Sequence, residues 1–92
     1  METVRAHLFI AGRVQGVFYR AFTRNAAVKS GLAGWVRNLP DGRVEAVFEG
    51  DRLLIDQAIM VCRKGPSGSV VSDIDMSWDE KPDNLQGFEI RY

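Results

Sequence analysis

The period of the hydrophobic pattern switches along this chain from two to about 3.6 and back, twice over, and that order of strands and helices leaves few folds open. From Val4 to Val14, the residues Val4, Ala6, Leu8, Ile10 and Val14 share one side of a period-two pattern, with Arg5, His7 and Arg13 on the other, which predicts a half-buried strand. Between Phe22 and Ser30 the pattern becomes helical. Phe22, Thr23, Ala26, Ala27 and Ser30 form a stripe of apolar or small residues, Arg24, Asn25 and Lys29 point away, and Gly31 supplies a stop. Residues 34–39 and 43–49 read as two strands joined at Pro40-Asp41-Gly42, where Pro fixes φ and Gly permits positive φ. Asp51 is placed to cap a second helix, whose apolar face holds Leu54, Ile55, Ala58, Ile59, Val61 and Cys62 and which Gly65-Pro66 ends. Leu53 and Met60 fall off that face, and periodicity gives no reason for them. A later strand alternates Val70, Ser72, Ile74, Met76 and Trp78 with Val71, Asp73, Asp75 and Ser77. Pro82-Asp83-Asn84 makes a loop, and Phe88, Ile90 and Tyr92 form a short last strand.

Strand, helix, strand, strand, helix, strand and one extra strand is the order of an α+β ferredoxin-like split βαβ sandwich. The expectation is an antiparallel sheet with two helices on one face and a short extra C-terminal strand. With 92 residues there is room for one domain, spanning 1–92, and a domain of this size buries only roughly 60 to 65% of the surface of its unfolded chain. Its stability is therefore expected to be modest. Such a fold hosts many activities, so function has to come from particular residues.

Twelve basic and twelve acidic residues give a net charge of zero, which removes the positive field on which non-specific nucleic-acid binding depends. No nucleic-acid partner is expected. The single Cys62 cannot form an internal disulfide, and one Cys with one His makes no metal-ligand cluster, so no metal is expected and a reducing compartment fits best. The N-terminus has no basic segment followed by an apolar stretch, and no apolar run approaches the roughly 18 to 20 residues of a membrane span. These readings predict a cytoplasmic monomer with no membrane partner.

Two segments offer chemistry. In Gln15-Gly-Val-Phe-Tyr-Arg20, a loop containing Gly16 leads into a helix start, where converging N–H groups and the helix dipole favour an anion such as phosphate. Arg20 adds a planar fork of donors that can hold two phosphate oxygens. Spacing alone leaves an ordinary strand-to-helix turn with a solvated Arg open, because glycine loops before helices are common. Asn38, ahead of Leu39-Pro40, is either a turn residue or an acceptor and donor able to orient a water without ionising. His7, with no acid or nucleophile near it in sequence, belongs to the polar side of its strand. Cys62 reads as a small buried hydrophobe, and Trp35 and Trp78 as packing residues.

Taken together, Gly12-Arg-Val-Gln-Gly-Val-Phe-Tyr-Arg20 and Gly31-Leu-Ala-Gly-Trp-Val-Arg-Asn38, followed by Pro-Asp-Gly-Arg-Val-Glu45, closely resemble the two signatures of the acylphosphatases. The likeness continues through Cys62-Arg-Lys-Gly-Pro66 and Gly87-Phe-Glu-Ile-Arg-Tyr92, with residues 68–86 the least diagnostic. The resemblance implies hydrolysis of the carboxyl-phosphate bond of small acyl phosphates, with water as co-substrate and a carboxylate and inorganic phosphate as products, and without metal or cofactor. It implies that Arg20 and the loop Gln15, Gly16, Val17, Phe18, Tyr19 and Arg20 bind the phosphate, with Tyr19 contributing mainly backbone, and that Asn38 positions the water. Two other readings share the fold: an RNA-recognition or regulatory ligand-binding module, and a similar domain serving a larger carbamoyl-transferring or maturation enzyme.

Overall fold

The structure, a computed structural model, describes residues 3–79 and 81–92. Seven elements follow in order: β1 (Thr3–Arg13), α1 (Tyr19–Lys29), β2 (Ala33–Asn38), β3 (Val44–Asp51), α2 (Arg52–Lys64), β4 (Val70–Asp79) and β5 (Phe88–Arg91). The strands form one sheet in the order β4-β1-β3-β2-β5. β1 is antiparallel to both β3 and β4, and β2 is antiparallel to β3. The last strand departs from the expected pattern. β5 runs parallel to β2, with Gly34 opposite Phe88 and Val36 opposite Ile90, so the ferredoxin-like sheet is mixed rather than wholly antiparallel.

Both helices pack on the sheet face that presents Ala6, Leu8, Ile10, Val36, Ala46 and Phe48. Helix α2 contributes Ile55, Ala58, Ile59 and Cys62 to this core. Leu53 and Met60 face solvent, as does Val61, which periodicity had placed on the buried face. Helix α1 begins earlier than its apolar stripe suggests, and its fully buried positions are Tyr19, Thr23 and Ala27, one turn apart. Phe22, Ala26 and Ser30 are only half-buried. Asp51 occupies the position before α2 in an extended conformation, but its side chain makes no capping hydrogen bond, so the predicted cap is only positional.

Strand β4 also changes phase. Ala11 pairs with Asp73 but Gly12 pairs with Val71, leaving Ser72 as the extra residue of a bulge. Beyond the bulge Val71, not Val70 or Ser72, packs against the core. Gly12 makes the bulge possible: its φ is 126°, and a Cβ there would lie 2.1 Å from the carbonyl oxygen of Val70.

The face opposite the helices is not plainly solvated either. Every residue of β3 from Val44 to Glu49 is buried. Glu49 accepts hydrogen bonds from the backbone N–H of Asp83 at 2.7 Å and Leu85 at 2.9 Å, and Arg5 pairs with Asp83 at 3.1 Å, so the segment after β4 folds across this side. A carboxylate bonded to two N–H groups tolerates burial that an unpaired one would not.

Substituting Gly12→Ala should cost about 2 to 3 kcal/mol, because both the φ and the approach of Val70 forbid a Cβ. Urea denaturation measures this; an unchanged midpoint would mean the bulge relaxes freely.

Candidate active site

Between β1 and α1 the chain turns through a loop that is held from both sides. Val14 is buried in the core, and the Gln15 side chain reaches across to donate from Nε2 to the carbonyl oxygens of Leu39 at 2.8 Å and Arg43 at 2.9 Å. These two carbonyls flank the tip of the β2–β3 hairpin, so Gln15 ties the loop to the hairpin. Gly16 has φ 75°, and Phe18, at the position before α1, has φ 60° and ψ 26°, in the left-handed region. Among the described residues no side chain caps α1, and no acidic residue lies in its first turn. The N–H groups of that turn therefore have neither an intrahelical acceptor nor a competing carboxylate, and they carry the positive end of the helix dipole.

Tyr19 anchors this helix start. Its side chain is buried, and its hydroxyl donates to the carbonyl oxygen of Cys62 at 2.7 Å, satisfying one of the orphan carbonyls of the last turn of α2. Burial, reinforced by the neighbouring Cys62, pushes the phenol well above its ordinary pKa, so it stays a neutral donor. Reading the sequence for backbone alone at Tyr19 missed this role. Cys62 behaves as expected: it is buried, and burial raises its thiol to about 11, which keeps it from acting as a nucleophile near neutral pH.

Arg20 and Asn38 line one open pocket of about 310 Å³, together with Gly16, Phe18, Ile90 and Tyr92. Strand β5 thus supplies part of the wall, which the loop and hairpin alone would leave open. Arg20 Nη1 lies 3.5 Å from the carbonyl oxygen of Arg91, and its guanidinium carbon sits 4.8 Å from the centre of the Tyr92 ring. Asn38 ends β2, paired with Val44. Its Oδ1 is buried and has no hydrogen-bond partner among the described residues, an acceptor that a bound donor would satisfy. Of the residues singled out from sequence, Gly16, Phe18, Tyr19, Arg20 and Asn38 come together at this pocket. Gln15 instead ties the loop to the hairpin, and Val17 packs against the core.

Behind the pocket, on the other face of the sheet, the β1–β3 pairing gives His7 the acid that its own neighbourhood in sequence lacks. His7 Nε2 and Arg37 Nε both lie 2.6 Å from Glu45, one at each carboxylate oxygen. Burial pushes the Glu45 carboxyl upward, but the bonds from His7 and Arg37 outweigh it and hold the group below the ordinary glutamate range. Trp35 packs here under the guanidinium groups of Arg91 at 4.7 Å and Arg37 at 5.5 Å, while Trp78 packs beneath Arg52 at 4.3 Å. Since Arg37 precedes Asn38 on β2, this cluster fixes the strand from which Asn38 projects.

The sequence model of the acylphosphatase family matches residues 6–90, which include the loop, Arg20 and Asn38. The chain belongs to the acylphosphatase family. It is similar to the acylphosphatase of a Nostoc species, at 50% identity over 90 residues that make up 98% of this chain and 88% of that one. The acylphosphatase of Haloquadratum walsbyi is 55% identical over 87 residues, 95% of this chain and 92% of that one. The crystal structure of the acylphosphatase from Bacillus subtilis matches with a TM-score of 0.95 at 35% identity, covering 97% of this chain and 99% of its own. Membership makes the protein an acylphosphatase enzyme, a hydrolase acting on acyl phosphates, rather than a binding module that shares the fold. Among the described residues, no helix is long and apolar enough to cross a membrane.

The stability that Glu45 contributes through its depressed pKa is complete above the ordinary glutamate value and is lost as pH falls through the lower folded one. Glu45→Gln should therefore be less stable than the parent near neutral pH, with the gap closing under acid. Urea titrations of both proteins over this range measure it; a gap that does not change with pH would contradict the assignment.

Proposed function

We propose that the pocket between the β1–α1 loop, Asn38 and β5 is the catalytic site, and that it works without a metal or cofactor. Support comes from one observation above the others: a cationic fork at an uncapped helix start and Asn38, whose amide oxygen is buried without a partner among the described residues, line the same pocket, although 18 positions separate Arg20 from Asn38. The loop amides of Gln15 to Arg20 and the Arg20 guanidinium bind the phosphoryl oxygens, and Asn38 orients the attacking water.

The substrate's chemistry explains how so few groups suffice. The leaving group is a carboxylate, which is stable unprotonated at neutral pH, so its departure needs no potent general acid. The water oxygen forms a bond to phosphorus as the bond from phosphorus to the acyl oxygen breaks, and the electron pair leaves with the carboxylate. Asn38 cannot accept a proton, so the water's proton passes to a phosphoryl oxygen. What remains for the protein is charge stabilisation at the phosphoryl oxygens and an in-line water, both tasks of positioned dipoles and cations. The chain acts in this reading as one domain over 1–92, a monomer in the cytoplasm, with a small acyl phosphate and water as reactants and inorganic phosphate as product.

Arg20→Ala removes the only positioned cation this mechanism uses and should cost roughly 3 kcal/mol or more of transition-state stabilisation, about a hundredfold in rate. Arg20→Lys should recover little, because an ammonium cannot reproduce the planar fork. Steady-state hydrolysis of acetyl phosphate by folded variants tests this, and near-parental turnover by Arg20→Ala would reject the site.

A further inference from the structure

Phe18 holds an unfavourable backbone conformation and contributes little to the core. Its φ of 60° and ψ of 26° place it in the left-handed region, where a side chain with a Cβ is disfavoured and Gly or Asn is the residue of lower cost. The ring is 86% exposed, so burial in the fold does not offset that cost. Strain held at an exposed aromatic calls for a reason outside folding, and the ring's position supplies one: Phe18 lines the pocket that contains Arg20 and Asn38. Two other apolar side chains on the same pocket come from the end of the chain, Ile90, which is half-buried, and Tyr92, which is 96% exposed. The Tyr92 ring lies against the Arg20 guanidinium, so its place is tied to the group proposed to hold the phosphate.

An acyl phosphate bound with its phosphoryl group at Arg20 and with water in line must direct its acyl group away from that water, beside the remaining walls of the pocket. Those walls are apolar and aromatic. We propose that Phe18 is a specificity-determining residue that packs against the acyl group, with Ile90 and Tyr92 beside it, so that the enzyme prefers acyl phosphates with an apolar, planar acyl group over those with a minimal one. This inference rests on the phosphoryl placement proposed above. The pocket's volume of about 310 Å³ leaves room for a small acyl group beside the phosphoryl group.

The test is the ratio of kcat/KM for benzoyl phosphate to that for acetyl phosphate, in the parent and in Phe18→Asn, Phe18→Gly and Phe18→Tyr. Asn and Gly suit the left-handed conformation, so these variants retain the loop, and any general damage to phosphate binding lowers both substrates together and cancels in the ratio. Phe18→Asn and Phe18→Gly should each lower the ratio roughly tenfold, the scale of losing a partly buried apolar contact. Phe18→Tyr, which keeps the ring, should preserve it. A ratio that stays within about twofold of the parent in both Phe18→Asn and Phe18→Gly would overturn the inference while leaving the phosphoryl site standing. The site itself is judged separately by Arg20→Ala.

Discussion

The first turn of α1 has to be left without a cap and yet be held still. A helix start whose N–H groups are already bonded to a Ser or Asp has nothing to offer an anion, and one that is free but mobile gives no fixed geometry. Here the fixing is done by side chains bonded to other parts of the fold. The Tyr19 hydroxyl bonds to the far end of α2, and the Gln15 amide bonds to two carbonyls of the hairpin. All three bonds are long-range in sequence and use neutral donors, so they hold the loop without adding a charge that would compete for the proposed phosphate.

The remaining parts of the pocket arrive through sheet order. Because β5 lies parallel beside β2, the chain's last residues come up next to the end of β2, and Ile90 and Tyr92 reach the same pocket as Asn38. On the opposite face Glu45 joins His7 of β1 to Arg37 of β2 across β3, bracing the strand one residue before Asn38. The geometry of the proposed site in so small a domain thus depends on polar contacts on both sides of the sheet, and not on the apolar core alone.

How much of this was legible in the sequence depended on the range of the interaction. Elements were readable because hydrophobic period is local: β1 and α2 stood out, and the order of elements pointed to the ferredoxin-like arrangement. The start of α1 was not, because the stripe from Phe22 onward hides the fact that Tyr19 is the first buried position, one turn earlier. The phase slip in β4 was invisible because a bulge depends on the partner strand. Burial of Glu45 and Glu49 contradicts the polar character of their side chains until their partners, His7, Arg37 and the N–H groups of Asp83 and Leu85, are brought in by pairing and by the last loop. For the site, Arg20 and Asn38 stood out through the wording of two motifs, whereas Ile90 and Tyr92 had no signal beyond an apolar last strand. Nothing local could show that this strand ends at the pocket.

The account's central claim is a division of labour, with Arg20 and the loop binding the phosphoryl group and Asn38 holding the water. Its most direct test is Asn38→Ala assayed beside the parent with acetyl phosphate in excess chelator, with inorganic phosphate as competitive inhibitor. The account predicts chelator-resistant turnover by the parent, and in the variant a collapse of kcat with little change in the inhibition constant for phosphate. Weakened phosphate inhibition at unchanged kcat would contradict it, since Asn38 would then be binding the phosphate and not orienting the water.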